Sequence, residues 1–177
     1  MSIKIFSKCV FTRLAFSYLL KANDSKTSIS IVDVEDGIDT ILLNRIINDR
    51  KIDFVIILNN RNHTPLLIAN NVIIVSKRLS TNSLKNLTLT ISALNEINGN
   101  EVLLSPSEKT LFYRWLQGIS MKTIAENMSI THKTANNMRN SIYRKYGIKD
   151  HFTFLLIAEI SRIHHARHTE HRKIPSA

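Results

Sequence analysis

Leu104–Ile148 reads LSPSEKTLFYRWLQGISMKTIAENMSITHKTANNMRNSIYRKYGI, and it marks its own helix boundaries. Ser105-Pro106-Ser107-Glu108 has the form of a capping box, with proline at the first helical position, where its missing N–H costs nothing. The helix that follows carries Leu111, Trp115 and Leu116 on one face and stops at Gly118. Ser120 is a good cap for a second helix, Met121–Met128. After the short turn Ser129-Ile130, Thr131 caps a third helix that runs to Tyr146 and ends at Gly147. Two short helices and a longer one, joined by turns of about 3–4 residues, are the parts of a helix-turn-helix.

The charge of the chain agrees with such a motif. The 177 residues are 44% hydrophobic and 21% charged, the balance of an ordinary globular protein, with a formal net charge of +10. Residues 1–100 hold 12 basic and 8 acidic side chains, and residues 101–177 hold 12 and 6. Between Ser120 and Lys149 the basic groups Lys122, Lys133, Arg139, Arg144, Lys145 and Lys149 face one acid, Glu126. A positive field concentrated over one motif favours a polyanionic partner, nucleic acid before a membrane surface.

From Leu104 to Ala158 the chain resembles the LuxR/FixJ-type DNA-binding domain found at the end of many bacterial response regulators. The family opens with Leu-Thr-Pro and an acidic residue; here these are Leu104-Ser105-Pro106 and Glu108. Its Gly-x-Ser-x-Lys-x-Ile-Ala is matched by Gly118-Ile119-Ser120-Met121-Lys122-Thr123-Ile124-Ala125. Its Ile-Ser-x-Lys-Thr-Val is matched by Ile130-Thr131-His132-Lys133-Thr134-Ala135. The closing Ile-x-x-Lys-Leu-Gly-Val is matched by Ile142-Tyr143-Arg144-Lys145-Tyr146-Gly147-Ile148. Ala135, Met138 and Tyr146 depart from the usual valine, histidine and leucine, at core-type positions that bear on packing more than on DNA binding.

The resemblance implies that the third helix, residues 132–146, enters the major groove. It places Thr134, Asn136, Asn137 and Asn140 where the family contacts base edges, and an asparagine bonds adenine N6 and N7 bidentately. Lys122, Thr131, Lys133, Arg139, Arg144 and Lys145 are then the candidates for phosphates, which add affinity without sequence information. Trp115, Leu116, Ile124, Ala125, Ile130 and Ile142 read as core. A fourth helix carries Phe152, Leu155, Leu156, Glu159 and Ile160, and in similar proteins it forms a dimer contact, for which Phe152, Leu155, Leu156 and Glu159 are the candidates.

The first hundred residues alternate short apolar, β-branched segments with helical ones. Ser2–Ser7, Ser28–Val34, Asp53–Leu58 and Asn71–Ser76 read as buried strands, and Val10–Ala22, Gly37–Asp49 and Asn82–Ile97 as helices. That order predicts a parallel α/β sheet, compact or trimmed across residues 59–70. The fold class expected is therefore an α/β N-terminal domain with a short parallel sheet, truncated and receiver-like, followed by an all-α four-helix C-terminal helix-turn-helix domain. The expected boundaries are a regulatory domain at 1–97, a linker at 98–103 around Gly99, the DNA-binding domain at 104–163 and a basic His/Arg-rich tail at 164–177.

By the same resemblance, the partner of such a domain is often a phosphorylatable receiver. Lys77 stands at the signalling lysine's place. Ser7-Lys8 stands where a receiver needs a carboxylate pair for magnesium, and Leu58-Asn59 where it needs its aspartate. Asp33, Glu35 and Asp36 end the second strand and read as caps of the next helix. A domain that has lost phosphotransfer is the consequence, leaving a partner protein, abundance or a ligand as the means of control.

Other function classes are excluded or set beside this reading. No Gly-x-Gly-x-x-Gly, Walker loop or Ser/His/Asp arrangement is present, so neither an enzyme nor a cofactor is expected. The single cysteine, Cys9, permits neither an intrachain disulfide nor a thiolate zinc site and reads as a small buried hydrophobe. His165, His168 and His171 are spaced by threes in the tail, which reads as a solvated basic helix end rather than a metal site. No apolar run is long enough for a membrane span, and a cytoplasmic protein, nucleoid-associated when bound to DNA, is expected. The expected partners are double-stranded DNA, a second copy or a related regulator, and RNA polymerase. An accessory interaction protein that modulates another regulator through heterodimerisation, binding DNA only in the complex, is the alternative.

Overall fold

The structure, a computed structural model, describes residues 2–20, 27–61, 64–80, 82–84, 86 and 104–171, the last seven of these and residues 19 and 20 by backbone alone. Most of the expected helix Asn82–Ile97 and the 98–103 linker lie outside the described residues. The chain divides into two compact units, residues 1–100 with 163–177, and residues 101–162.

The first unit contains β1 (Ser2–Phe6), α1 (Val10–Leu20), β2 (Ser28–Asp33), α2 (Thr40–Asn48), β3 (Phe54–Asn59), β4 (Leu66–Ala69) and β5 (Val72–Ser76). One five-stranded sheet runs in the order β1-β2-β3-β5-β4, parallel except where β4 meets β5. The uninterrupted apolar runs of β3 and β5 are buried along their whole length, as strands covered on both faces must be. Ile29, Ile31, Phe54, Ile56, Leu58, Ile73 and Val75 share one face of the sheet and form a core with Phe16 of α1. Their registers line up across three strands, Ile31 beside Ile56 and Ile56 beside Ile73.

Two features depart from the sequence reading. Residues 66–69, assigned to no element, form an antiparallel edge strand that returns through the Asn70-Asn71 turn. Helix α2 is capped by Asp39, whose carboxylate accepts the Leu42 N–H at 2.9 Å, and not by Asp33, Glu35 or Asp36. Asp33 and Glu35 face Lys77 instead, and an ion pair across strands outweighs a local cap that Asp39 already supplies. The strand order, on which the sequence reading is silent, puts β1 at an edge of the sheet. The doubly wound 2-1-3-4-5 order places the first strand inside and creates a switch point beside it, which β1 and β2 here do not form.

The second unit is helical: α3 (Pro106–Leu116), α4 (Met121–Asn127), α5 (His132–Lys145) and the first part of α6 (His151–His171), whose residues from Ile163 onward belong to the first unit. The side chains of Ser105, Ser120 and Thr131 accept the third backbone N–H of α3, α4 and α5, at 3.3, 3.1 and 3.1 Å. Asp150 does the same for α6, accepting from Thr153 at 2.7 Å. Gly118 and Gly147 end α3 and α5 at φ of +78° and +63°, the left-handed conformation that stops a helix. In the turn between α4 and α5 that conformation falls to Ser129, at +54°.

Leu111, Phe112, Ile124, Ala125, Ala135 and Ile142 are buried between the helices. An aromatic cluster extends this core: Phe154 stacks on Trp115 at 4.1 Å and meets Phe112 and Tyr143 edge-on at 5.5 and 4.9 Å. Tyr146, which replaces the usual leucine, stacks on Phe112. Trp115, Leu116 and Ile130, read as core, are only half-buried.

Candidate nucleic-acid interface

Helix α5 has an inner and an outer side. Ala135 and Ile142 are fully buried. On the opposite side Lys133, Asn137, Asn140 and Arg144 are exposed, at successive steps of four, three and four residues, which aligns them in one stripe along the helix. Thr134 flanks the stripe, exposed, at the third position of the helix, where its N–H is held by the Thr131 cap and its hydroxyl lies 2.9 Å from the Thr131 hydroxyl. Lys122, near the start of α4, is exposed as well. The stripe therefore presents two amides between two cations on a helix narrow enough for a major groove.

The remaining sequence-predicted residues fall elsewhere. Asn136 is half-buried, and its amide nitrogen donates to the His132 carbonyl at 3.0 Å, folded back along its own helix. Arg139 is half-buried with its guanidinium 5.8 Å from the centre of the Trp115 ring, a cation–π position inside the unit. Lys145 pairs with Glu108 at 2.6 Å. Of the dimer candidates, Leu155 is 43% exposed, Phe152 half-buried, Leu156 fully buried and Glu159 paired with Arg162 on its own helix. The structure thus brings Lys133, Thr134, Asn137, Asn140 and Arg144 together, half-buries Asn136 and Arg139, buries Leu156, and ties the exposed Lys145 to Glu108.

Behind the stripe stands a polar clasp that local sequence did not announce. Glu108 closes the capping box of α3 by accepting the Ser105 N–H at 2.7 Å, and the same carboxylate accepts from the Ser141 hydroxyl at 2.8 Å and from Lys145. Burial of this carboxyl pushes its pKa up, but the donors Lys145, Ser105 and Ser141 outweigh it and hold the pKa at about 2. The clasp ties the start of the first helix to the last two turns of α5 and so orients the outer stripe. The capping box was the visible half of this signal; its long-range half spans residues 108, 141 and 145.

In the first unit the chemistry-bearing residues gather at the carboxyl ends of β1, β2, β3 and β5. Lys77, just past β5, donates to Asp33 at 3.0 Å and to Glu35, and the Ser7 hydroxyl donates to Asp33 at 2.7 Å. Burial pushes the Asp33 pKa up, yet Ser7, Lys77 and the Glu35 N–H together bring it below its ordinary value. Lys77 is destabilised as a cation by burial and restored by Glu35 and Asp33, with the net shift upward. Asn59, at the end of β3, is fully buried and accepts the Arg61 N–H at 3.1 Å. Cys9 is half-buried rather than buried, beside Thr12, whose hydrogen bonds lower the thiol pKa. Among the described residues no group of His, Cys, Asp and Glu side chains is arranged to hold a metal ion; the side chains of His165, His168 and His171 are not among them. No helix of the described residues is long and apolar enough to cross a membrane.

Residues 102–158 match the family described as bacterial regulatory proteins, luxR family. No curated protein matches the chain. Among solved structures, RcsB from Salmonella enterica serovar Typhimurium bound to promoter rprA is 18% identical, over 89% of this chain and 99% of that one, with a TM-score of 0.47. Full-length FixJ from B. japonicum is 13% identical, over 91% and 97% of the two chains, with a TM-score of 0.35.

Proposed function

With residues 102–158 a LuxR-family helix-turn-helix domain, we propose that this chain is a sequence-specific, DNA-binding transcription regulator that reads the major groove with α5. The observation that carries the reading is the outer stripe of α5, Lys133, Asn137, Asn140 and Arg144, opposite the buried Ala135 and Ile142. Asn137 and Asn140 contact base edges, assisted by Thr134 and, after its amide is released from the His132 carbonyl, Asn136. Lys122, Thr131, Lys133 and Arg144 hold phosphates. Residues 104–163 act as the DNA-binding domain, residues 1–97 as the regulatory domain and residues 164–177 as a basic tail. Leu155, with Phe152 and Glu159 beside it, meets the second subunit on DNA, a further copy or a related regulator.

Control does not run through aspartyl phosphorylation. Asn59 closes β3 and Ser7 follows β1, so neither position offers a carboxylate, while Asp33 is already occupied by Lys77 and Ser7. Exposure to a small phosphoryl donor is expected to leave DNA affinity unchanged.

Genome-wide occupancy of the native chain and of Asn137→Ala/Asn140→Ala tests the main reading. The native chain should mark discrete sites. Each lost amide contact costs about 1–3 kcal/mol of discrimination, so the double variant should keep salt-sensitive binding and lose most sites. Lys133→Ala and Arg144→Ala should weaken all sites alike and each reduce the salt slope by about one. A native chain without discrete sites overturns the reading; sites that survive the double asparagine variant overturn the assignment of its reading residues.

A further inference from the structure

The outer stripe of α5 has a neighbouring row, one residue earlier at every place. His132, Asn136, Arg139 and Tyr143 recur at the same steps of four, three and four, so their row is turned by about 100° from the stripe. Arg139 is the one permanent charge in it. Its guanidinium carbon lies 5.8 Å from the centre of the Trp115 ring. Nε alone of its nitrogens is buried without a hydrogen-bond partner, which leaves the two terminal nitrogens at the surface. No carboxylate among the described residues forms an ion pair with it. The neighbouring Tyr143 hydroxyl feels this charge: burial pushes its pKa up and Arg139 pulls against that, with the net shift upward.

We propose that Arg139 is a contact to the DNA backbone, held for a phosphate by Trp115 on the side of α5 that faces one wall of the groove. This rests on the reading of α5 as a groove-entering helix. Geometry is the first argument. A helix with its side chains is about 10–12 Å across and the major groove about 12 Å wide. A helix that turns one stripe to the base edges therefore meets the phosphate walls about 100° round on either side. On one of those flanks Ser141 and Lys145 are already committed to Glu108. On the other stands Arg139, with its charge uncommitted. Energetics is the second argument. A cation–π contact close to its limiting distance of about 6 Å offsets only weakly the loss of water from an unpartnered guanidinium donor. A phosphate supplies what the free chain lacks, because the guanidinium edge can offer it two parallel N–H groups while the stem stays packed. The indole also fixes the end of a flexible side chain beforehand, which lowers the ordering cost of the contact.

The salt dependence of binding to a mixed-sequence DNA duplex tests the proposal, measured by anisotropy of the labelled duplex with the full chain, Arg139→Met and Arg139→Lys. Methionine keeps an apolar stem against Trp115 and removes the charge. The slope of log K against log salt should fall by about 0.9, and affinity at about 0.1 M salt about tenfold. Lysine keeps the charge and should restore the slope, whereas a role in packing alone predicts the native slope with methionine. A second measurement uses the native chain and needs no folded variant. A dicarbonyl reagent that modifies arginine should label Arg139 in the free chain, and the duplex should protect it, as read by mass spectrometry. A native slope in Arg139→Met, a slope that lysine does not restore, or labelling that is equal with and without duplex overturns the proposal and leaves the reading of α5 standing. A native chain that binds no duplex overturns both.

Discussion

Glu108→Gln isolates the clasp that orients the outer face of α5. Glutamine keeps the length of the side chain and serves in a capping box, so the local cap survives while the charge facing Lys145 is removed. The carboxyl sits at about 2 in the folded chain against an ordinary 4.5. Taken whole, a shift of that size is worth about 3 kcal/mol of stability at neutral pH. The Lys145 side chain keeps 37% of its surface in water, and screening of such a pair brings the expected loss to about 1–2 kcal/mol. Because the folded pKa lies below the unfolded one, this contribution is fully present above pH 4.5 and is lost as pH falls towards 2. Trp115 is the only tryptophan of the chain and packs on Phe154, so its fluorescence follows the helical unit by itself. In urea, a slope of about 1 kcal/mol per molar turns the loss into a midpoint lower by about 1–2 M at neutral pH. The gap between native and variant should narrow once the pH drops below the ordinary carboxylate range. Equal midpoints at neutral pH, or a gap that ignores acid, refute the argument.

Two further substitutions test individual backbone and core assignments. Ser129→Gly should stabilise the helical unit by about 0.5–1 kcal/mol, since relief of a left-handed conformation outweighs the added freedom of the unfolded chain; Ser129 has φ +54°, and a Trp115 urea midpoint that falls would contradict this. Ser30→Ala should be neutral or stabilising by about 1 kcal/mol in the first unit, because it removes a buried hydroxyl that has no hydrogen-bond partner. A far-ultraviolet melt showing marked destabilisation of the Ser30→Ala chain would mean that the hydroxyl has a partner after all.

The capping residues Ser105, Ser120 and Thr131, the glycines at 118 and 147, and the inner positions Ala135 and Ile142 were all legible in the sequence. Each is decided by bonds within one turn of helix or by helical period, so a reader needs only neighbours in the chain. The apolar runs of β2, β3 and β5 were legible for a similar reason, their burial on both faces being written as an unbroken β-branched string. What tertiary structure alone decided are the contacts between residues far apart. It set β1 at an edge, made residues 66–69 a strand by pairing them with β5, and brought Lys77 across to Asp33 and Glu35. It also chose among the polar residues of α5. Lys145 is drawn to Glu108, Arg139 to Trp115 and the amide of Asn136 to His132, which leaves Asn137 and Asn140 outward between Lys133 and Arg144. Sequence pattern determines which face of a helix is polar; which polar groups on it remain free depends on partners that only the folded chain brings within hydrogen-bonding distance.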